Sequence, residues 1–431
     1  MGVLPIPALA KVFAVFGLIL TLNRLRLPLS LSLLIGSLVL GLSMALSPLR
    51  WMHVALICVA RPQSISLVLI VGLILVISKL MKEAGQMDRL VESFTRLSKD
   101  ARTVGSVMTA LIGLLPMPGG ALFSAPMVET SLGKQSVTSE QKTILNYWFR
   151  HIWEYWWPLY PGVVLAVVLL KVETWRYMAV MAPMTLISLL AGVIFILKPI
   201  GKAERRQYEG EISWIGIKAF LWEIMPILIV VFVIVTLAGA VGVLGLVGFR
   251  VRVSGALSIL PGLLASIIWV CRVNHIRFRQ LRSALLDRSI LPMLLLVLAI
   301  MVFQGLLIES QAVVQIRNEL MAYRIPVILI VLTMPFVSGF ITGIAIGFVG
   351  TSFPLLIPMF PTNTLLEYLS FAALAYTFGF MGMMLSPVHL CFLVTKDYYK
   401  ASLMKSYRYL ILPTLSVMVA VTVLYYVARA I

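Results

Sequence analysis

Residues 24–36 read RLRLPLSLSLLIG, and residues 250–262 read RVRVSGALSILPG. In both stretches two arginines precede an apolar run that contains serine and ends in glycine, and the second stretch lies 226 positions after the first. The spacing drifts slowly to 229 in matched pairs further along the chain: Glu83 and Glu309, Gly119 and Gly347, Ser124 and Ser352, Pro126 and Pro354, and Pro158 and Pro387. Such drift is expected of two copies of one unit with small insertions. In membrane proteins, such copies usually build a transporter with its site where they meet.

The composition is that of a membrane protein. Of 431 residues 61% are hydrophobic and only 12% are charged, and the mean hydropathy is +1.01. Soluble globular proteins do not carry so much apolar surface, so we expect an all-α polytopic membrane protein. The apolar runs long enough to span a bilayer are 5–22, 28–49, 63–80, 143–170, 177–197, 219–248, 253–271, 289–308, 367–395 and 409–429. The first run lacks a small-residue cleavage site, so we interpret it as a retained helix.

The net charge of +18 follows the membrane topology and does not indicate a nucleic-acid partner, because the basic residues lie between the apolar runs. Loops rich in Lys and Arg are 79–102, 198–218, 272–288 and 396–408. Poorer loops are 50–62, 171–176, 249–252, 309–324 and 361–366. Basic loops stay in the cytoplasm. The pattern predicts a multi-pass protein of the cytoplasmic membrane.

This alternation requires two apolar segments that do not cross the membrane. Segments 103–133 and 325–360 are interrupted by Pro and Gly, and each must start and end on one side. We therefore predict two re-entrant hairpins that open to opposite faces. Each copy then has five transmembrane helices and one hairpin, and an odd number of crossings inverts the second copy. The predicted units are a first inverted repeat, 1–200, a cytoplasmic linker, 201–217, and a second inverted repeat, 218–431.

The hairpin tips are the first candidate binding elements. The first tip, residues 115–126, reads LPMPGGALFSAP, and the second, residues 338–354, reads SGFITGIAIGFVGTSFP. Pro and Gly break helices and expose backbone groups. Helix N-termini at such breaks favour anions, while freed carbonyls and hydroxyls can hold a small cation. The alternative is that these glycines only let helices pack closely.

A charged segment follows the first hairpin. Residues 146–161 read NYWFRHIWEYWWPLYP and place Arg150, His151 and Glu154 in a predicted spanning helix. Ionisable groups within the membrane suggest function. Helical spacing aligns Asn146, Arg150 and Glu154, so the last two can pair. The alternative is a structural ion pair near the interface, in an aromatic belt made by the segment's tryptophans.

Prolines should interrupt this helix, because Pro158 cannot donate to the carbonyl four residues earlier. We predict one broken helix at 143–170 and its equivalent at 367–395. Pro387 frees a carbonyl in the second, and Ser386 and His389 flank that break. A satisfied interior histidine is the alternative interpretation of His389.

The expected site combines the tips and the breaks. The predicted substrate-binding residues are Pro118, Gly119, Gly120, Ser124, Arg150, Thr342, Gly347, Thr351, Ser352, Ser386 and His389. His151 and Glu154 are the predicted proton-coupling pair, because histidine titrates near neutral pH.

The three cysteines, Cys58, Cys271 and Cys391, are far apart in sequence and are interpreted as small core residues. We expect no metal site and no cofactor apart from Na⁺ or H⁺ as a coupling ion.

The two motifs also carry a family resemblance. Residues 115–126 and the stretch FRHIWEYWWP, residues 149–158, resemble a prokaryotic branch of integral membrane proteins. The arrangement of hairpins and broken helices over the whole chain resembles the ion transporter superfamily, which includes gluconate permeases, citrate carriers and divalent anion/sodium symporters. The resemblance implies a homodimer of scaffold domains, with mobile transport domains that move like elevators.

The tips depart from the divalent anion symporters in one respect. Those carry a Ser-Asn-Thr triplet in each copy, whereas here FSA, residues 123–125, and TSF, residues 351–353, take comparable places. The departure leaves proton coupling open beside sodium coupling.

We expect a secondary active transporter of a small organic anion, coupled to H⁺ or Na⁺. A cation/proton antiporter is the alternative, since the same architecture can support one, and it would need buried carboxylates, of which only Glu154 fits. An enzyme is not expected. The His-Glu-x-x-His motif of a membrane metalloprotease is absent from the sequence.

Overall fold

The computed structural model describes residues 6–95, 101–114, 116, 120–132, 137–200, 214–246, 258–324 and 326–430. It is 85% helical and has no strand among these residues. The expected all-α class is therefore confirmed. The predicted site residues Pro118 and Gly119, most of the linker 201–217, and the arginines at 250 and 252 lie outside the described residues.

Twenty α-helices are described, ten in each half of the chain. The first ten are α1 Ala8–Arg24, α2 Leu29–Ser43, α3 Pro48–Ala60, α4 Pro62–Glu83, α5 Gln86–Thr95, α6 Ala101–Ile112, α7 Gly120–Leu132, α8 Ser139–Arg150, α9 Pro161–Leu170 and α10 Thr174–Gly192. The others are α11 Trp214–Leu246, α12 Ile259–Val273, α13 Phe278–Leu285, α14 Leu291–Glu309, α15 Ala312–Ala322, α16 Val327–Thr342, α17 Ala345–Leu356, α18 Leu365–Met384, α19 Leu390–Tyr399 and α20 Leu403–Ala430. A π-helical turn, Val193–Leu197, extends α10.

Local sequence explains several boundaries. Thr138 and Gln141 form a capping box at the start of α8. Pro161 is the first residue of α9, where its missing N–H is harmless. Lys171 and Lys400 end α9 and α19 in the same left-handed conformation, with φ of 56° and 54°. These two residues are 229 positions apart, the spacing found in the sequence.

Six helical stretches of the described residues are long and apolar enough to cross a membrane. They are Pro62–Glu83, Thr174–Ile200, Ile217–Leu244, Phe278–Glu309, Leu365–Met384 and Leu403–Arg429. Seven shorter apolar helices accompany them. A polytopic membrane protein is the class that this set of helices supports.

Two details of the sequence prediction are wrong. The run 28–49 was predicted as one span, but α2 stops at Ser43 after 15 residues. The loop predicted at 50–62 is instead helical, because α3 covers Pro48–Ala60. The Ser47 side chain accepts a hydrogen bond from the Arg50 N–H, and a proline follows Ser47 at the first helical position. Both are strong local signals for a helix start.

The two halves interlock through their hairpins. α6 packs on α7, and α16 packs on α17. Each returning helix also packs on the broken helix of the other half, since α7 contacts α19 and α17 contacts α9. A second group is made by α1–α4 with α11–α14, in which α2 packs on α14 and α4 on α12. The helix breaks therefore meet inside the first group.

Candidate functional site

The site is built around two interrupted helices. α8 ends at Arg150, residues 151–160 are unwound, and α9 begins at Pro161. α18 ends at Met384, and α19 begins at Leu390, after the five residues 385–389. The Tyr147 hydroxyl, one turn before the first break, donates a hydrogen bond to the Met384 carbonyl at 3.0 Å. A direct hydrogen bond therefore connects the regions of the two breaks.

Side chains satisfy the backbone groups that the first break releases. The Glu154 carbonyl, which Pro158 cannot bond, accepts a hydrogen bond from the Tyr376 hydroxyl at 2.7 Å. The Tyr147 carbonyl lies 2.6 Å from Nδ1 of His151. A buried carbonyl without a partner would be costly, so these two contacts stabilise the unwound segment.

Each hairpin tip rests on a helix break. The Tyr160 hydroxyl donates to the carbonyl of Gly113, at the end of α6. At the other tip, a Cβ added to Gly343 would lie 3.1 Å from the backbone nitrogen of His389. Gly343 has φ of +66°, which favours glycine, and it ends α16. The first turns of α9 and α17 also meet, because a Cβ on Gly162 would come within 2.8 Å of the Ala345 Cβ.

Arg150 lies on the first turn of α7. Its side chain is 3% exposed, and a Cβ built on Gly120 would come within 2.6 Å of its Cζ. No larger residue than glycine fits there without displacing the guanidinium. The arrangement puts a fixed positive charge beside a helix N-terminus, which itself favours anions.

His151, Glu154 and His389 form one buried cluster. Nε2 of His151 is 3.2 Å from Nε2 of His389 and 3.8 Å from Oε1 of Glu154. The two histidines are 238 positions apart in sequence. Cys391 belongs to the same cluster, and its sulfur lies within 4.8 Å of both imidazole nitrogens. The Tyr147 ring contacts both histidine rings edge-on.

The predicted stripe through Asn146, Arg150 and Glu154 is wrong at its end. α8 stops at Arg150, so Glu154 leaves the helical face and lies beside His151 instead. Asn146 does belong to the site region, because its Nδ2 donates to the Ala121 carbonyl at 3.1 Å.

The tryptophans of the segment bind other parts of the protein. Each indole N–H is used inside the protein. Trp148 donates to the Ser188 carbonyl, Trp153 to the Ala110 carbonyl, Trp156 to the Thr185 hydroxyl and Trp157 to the Leu114 carbonyl. Ala110 lies in α6 and Leu114 in the turn after it. The rings of Trp153 and Trp157 therefore hold the first hairpin in place.

Four of the predicted hydroxyl ligands already donate hydrogen bonds within their own helices, and all of them except Thr342 are buried. Ser124 donates to the Gly120 carbonyl, Thr342 to Ser338, Thr351 to Gly347 and Ser352 to Phe348. Their oxygens keep lone pairs but have no proton left for an anion. Ser386 accepts a hydrogen bond from the Val388 N–H. An anion here would therefore depend on backbone N–H groups, on Arg150 and on the Ser386 hydroxyl, whose own proton this contact does not use.

Sequence reasoning missed three members of the site. Cys391 was interpreted as a core residue, although its position two residues after His389 was a usable signal. Tyr147 and Tyr160 were quoted in the motif but given no role. Glu83 and Glu309, a matched pair of the two halves, are the last residues of α4 and α14 and pair with Lys79 and Arg50 at 3.7 and 2.5 Å.

Comparison with known proteins identifies a family without a known activity. No curated protein matches the sequence. A family model described as protein of unknown function (DUF401) matches residues 7–428, nearly the whole chain. The chain therefore belongs to the DUF401 family.

Proposed function

We propose that this protein is a secondary active transporter of a small organic anion, coupled to H⁺ or Na⁺. The observation that carries the proposal is the buried Arg150 guanidinium on the first turn of α7. Intramembrane charges that face a protein interior mark substrate or ion pathways in membrane proteins. Arginine also matches carboxylate geometry through two parallel hydrogen bonds.

The electrostatics favour an anion at this place. A carboxylate about 4 Å from the guanidinium would gain about 4 kcal/mol at an effective dielectric constant near 20. The first turns of α9 and α17, which meet at Gly162 and Ala345, add the partial positive charge of two further helix N-termini. The anion would lie between the hairpin tips and the two helix breaks.

The helix order supports the wider architecture that the proposal needs. Ten α-helices follow in the same order in each half, with the hairpins and helix breaks at matching places. We infer two inverted repeats, a scaffold of α1–α4 with α11–α14, and a transport domain that carries both hairpins. The ion transporter superfamily, an elevator movement, a homodimer and a prokaryotic inner membrane are parts of the same proposal.

Flux measurements in proteoliposomes test it. The purified protein is reconstituted and screened for uptake of carboxylates, sulfonates and inorganic oxyanions, with a pH gradient, a sodium gradient or neither. We expect gradient-dependent uptake of one anion class, reduced at least tenfold in Arg150→Gln. Arg176→Gln is the matched control, because Arg176 is half-exposed and pairs with Glu173 at 2.6 Å. Uptake of no anion under any gradient would contradict the proposal.

The alternative is a cation/proton antiporter, which the Glu154 carboxyl favours because it is 9% exposed inside the helical core. In that case, adding sodium to proteoliposomes would release protons, and Glu154→Gln would abolish the release. Anion uptake without cation-driven proton release separates the two activities.

A further inference from the structure

The cluster at the second helix break brings together three side chains that bind transition metals. His151, His389 and Cys391 each place one ligand atom so that all three lie within 4.8 Å of one another. His151 and His389 are buried, at 2% and 6% exposure. Imidazole and thiolate are the ligands that zinc and similar divalent ions prefer in proteins.

The distance between the histidines fits shared coordination. A metal about 2.0–2.1 Å from two imidazole nitrogens at a tetrahedral angle holds those nitrogens about 3.3 Å apart. The two Nε2 atoms are 3.2 Å apart. In a tetrahedral site a thiolate lies about 3.6 Å from each nitrogen, and the ligand atoms of the three side chains all lie within 4.8 Å of one another.

The distance between the ring centres also fits shared coordination. A linear N–H···N bond of this length would place the ring centroids about 5.5 Å apart. Two lone pairs that converge on one ion would place them about 5.0–5.2 Å apart. The centroids of His151 and His389 are 5.0 Å apart, with the rings at 76° to each other. Both values therefore agree with two nitrogens that share one ion.

The tautomer of His151 is the one that binds metal. Its Nδ1 lies 2.6 Å from the Tyr147 carbonyl, which can only accept, so Nδ1 carries the proton and Nε2 keeps its lone pair. A ligand histidine normally donates its other N–H to a carbonyl or carboxylate in this way. The Tyr147 ring, which packs against both imidazoles at 4.9 and 5.2 Å, holds them in position.

Charge balance favours a divalent ion, because the Glu154 carboxylate lies next to the cluster. Oε1 of Glu154 is 3.8 Å from Nε2 of His151. A divalent ion with one thiolate and one carboxylate is neutral, which limits the cost of burial in a membrane protein.

We propose that His151, His389 and Cys391 form a binding site for one divalent transition-metal ion of the zinc type, with the Glu154 carboxylate beside it. The site lies beside the proposed anion position and does not depend on it. An ion there would cross-link the two broken helices, since His151 follows α8 and Cys391 is in the first turn of α19.

Cobalt substitution tests the site. The full-length protein, freed of any affinity tag, is purified in detergent, stripped with a chelator and titrated with Co²⁺. We expect one equivalent to bind, with visible bands of tetrahedral cobalt and a near-ultraviolet thiolate charge-transfer band. The charge-transfer band should be absent in Cys391→Ser, and the affinity of His389→Gln should fall at least tenfold.

Matched controls are available in the chain. Cys271→Ser and His53→Gln change residues of the same types outside the cluster and should leave both spectrum and affinity unchanged. In the unaltered protein, Zn²⁺ should also slow alkylation of Cys391 but not of Cys271, a measurement that needs no variant to fold. Failure to bind Co²⁺, a charge-transfer band that persists in Cys391→Ser, or alkylation of Cys391 unaffected by Zn²⁺ would each overturn the proposal. None of these results depends on anion transport.

Discussion

Replacing Gly339 by alanine should destabilise the contact between the second hairpin and its own broken helix. Gly339 lies in α16, against α18. A Cβ there would overlap the Gly379 carbonyl oxygen and come within 2.8 Å of the Met383 backbone nitrogen. Both neighbours are backbone atoms of α18, so no side chain can rotate away. The two helices must instead separate by about 1 Å to reach ordinary contact distances.

The expected magnitude follows from two opposing terms. Overpacking of this kind destabilises by about 1–3 kcal/mol. Alanine in a helix interior recovers about 0.5–1 kcal/mol relative to glycine. We expect a net loss of about 1–2 kcal/mol, which lowers the midpoint of thermal unfolding by a few degrees.

Thermal unfolding of the purified protein in detergent, followed by intrinsic fluorescence, measures this effect. Gly17→Ala and Gly239→Ala are matched controls, because a Cβ at either position meets nothing within 4 Å. Both should leave the midpoint unchanged or raise it slightly. An unfolding midpoint of Gly339→Ala at or above that of the controls would refute the close backbone approach of α16 and α18.

Three further substitutions test the site and its surroundings. Gly120→Ala should displace the Arg150 guanidinium and reduce anion uptake at least tenfold, with a smaller effect on the unfolding midpoint. Tyr376→Phe removes the 2.7 Å hydrogen bond to the Glu154 carbonyl in the unwound segment. Because that carbonyl is then buried without its partner, thermal unfolding should show a loss of about 1–3 kcal/mol in stability. Glu309→Gln breaks the ion pair with Arg50; the Glu309 side chain is 33% exposed and that of Arg50 54%. The substitution should change stability by less than about 1 kcal/mol. A larger loss would show that the pair is less solvated than the structure indicates.

Helix breaks were readable from local sequence, but their extent was not. Pro158 predicted an interruption, yet the helix already ends at Arg150. The reason is that the Tyr147 carbonyl, which His151 N–H would bond in a continuous helix, instead faces the imidazole Nδ1. Side-chain partners from within the segment and from α18 replaced the backbone bonds. Such replacements depend on neighbours that a sequence pattern does not specify.

The predicted ligands were also foreseen only in part, because their contacts depend on neighbouring elements. Gly120 and Arg150 were both selected from the sequence, and the structure brings them into contact. The hydroxyls were selected because they lie at the tips, but helix geometry directs each one to a carbonyl of its own helix. The tryptophans were weighed as an interfacial belt, but inside the packed core their N–H groups find carbonyl and hydroxyl acceptors.

The sequence by itself determined the all-helical membrane class and the positions where the helices are interrupted. Hydrophobic run length and the backbone limits of proline and glycine are local properties, so they can be read one segment at a time. Only the tertiary structure decided that His151, His389 and Cys391 meet. Residues 238 positions apart come together through the packing of α8 against α19. That packing depends on the shape of the whole helical assembly, which no local pattern contains.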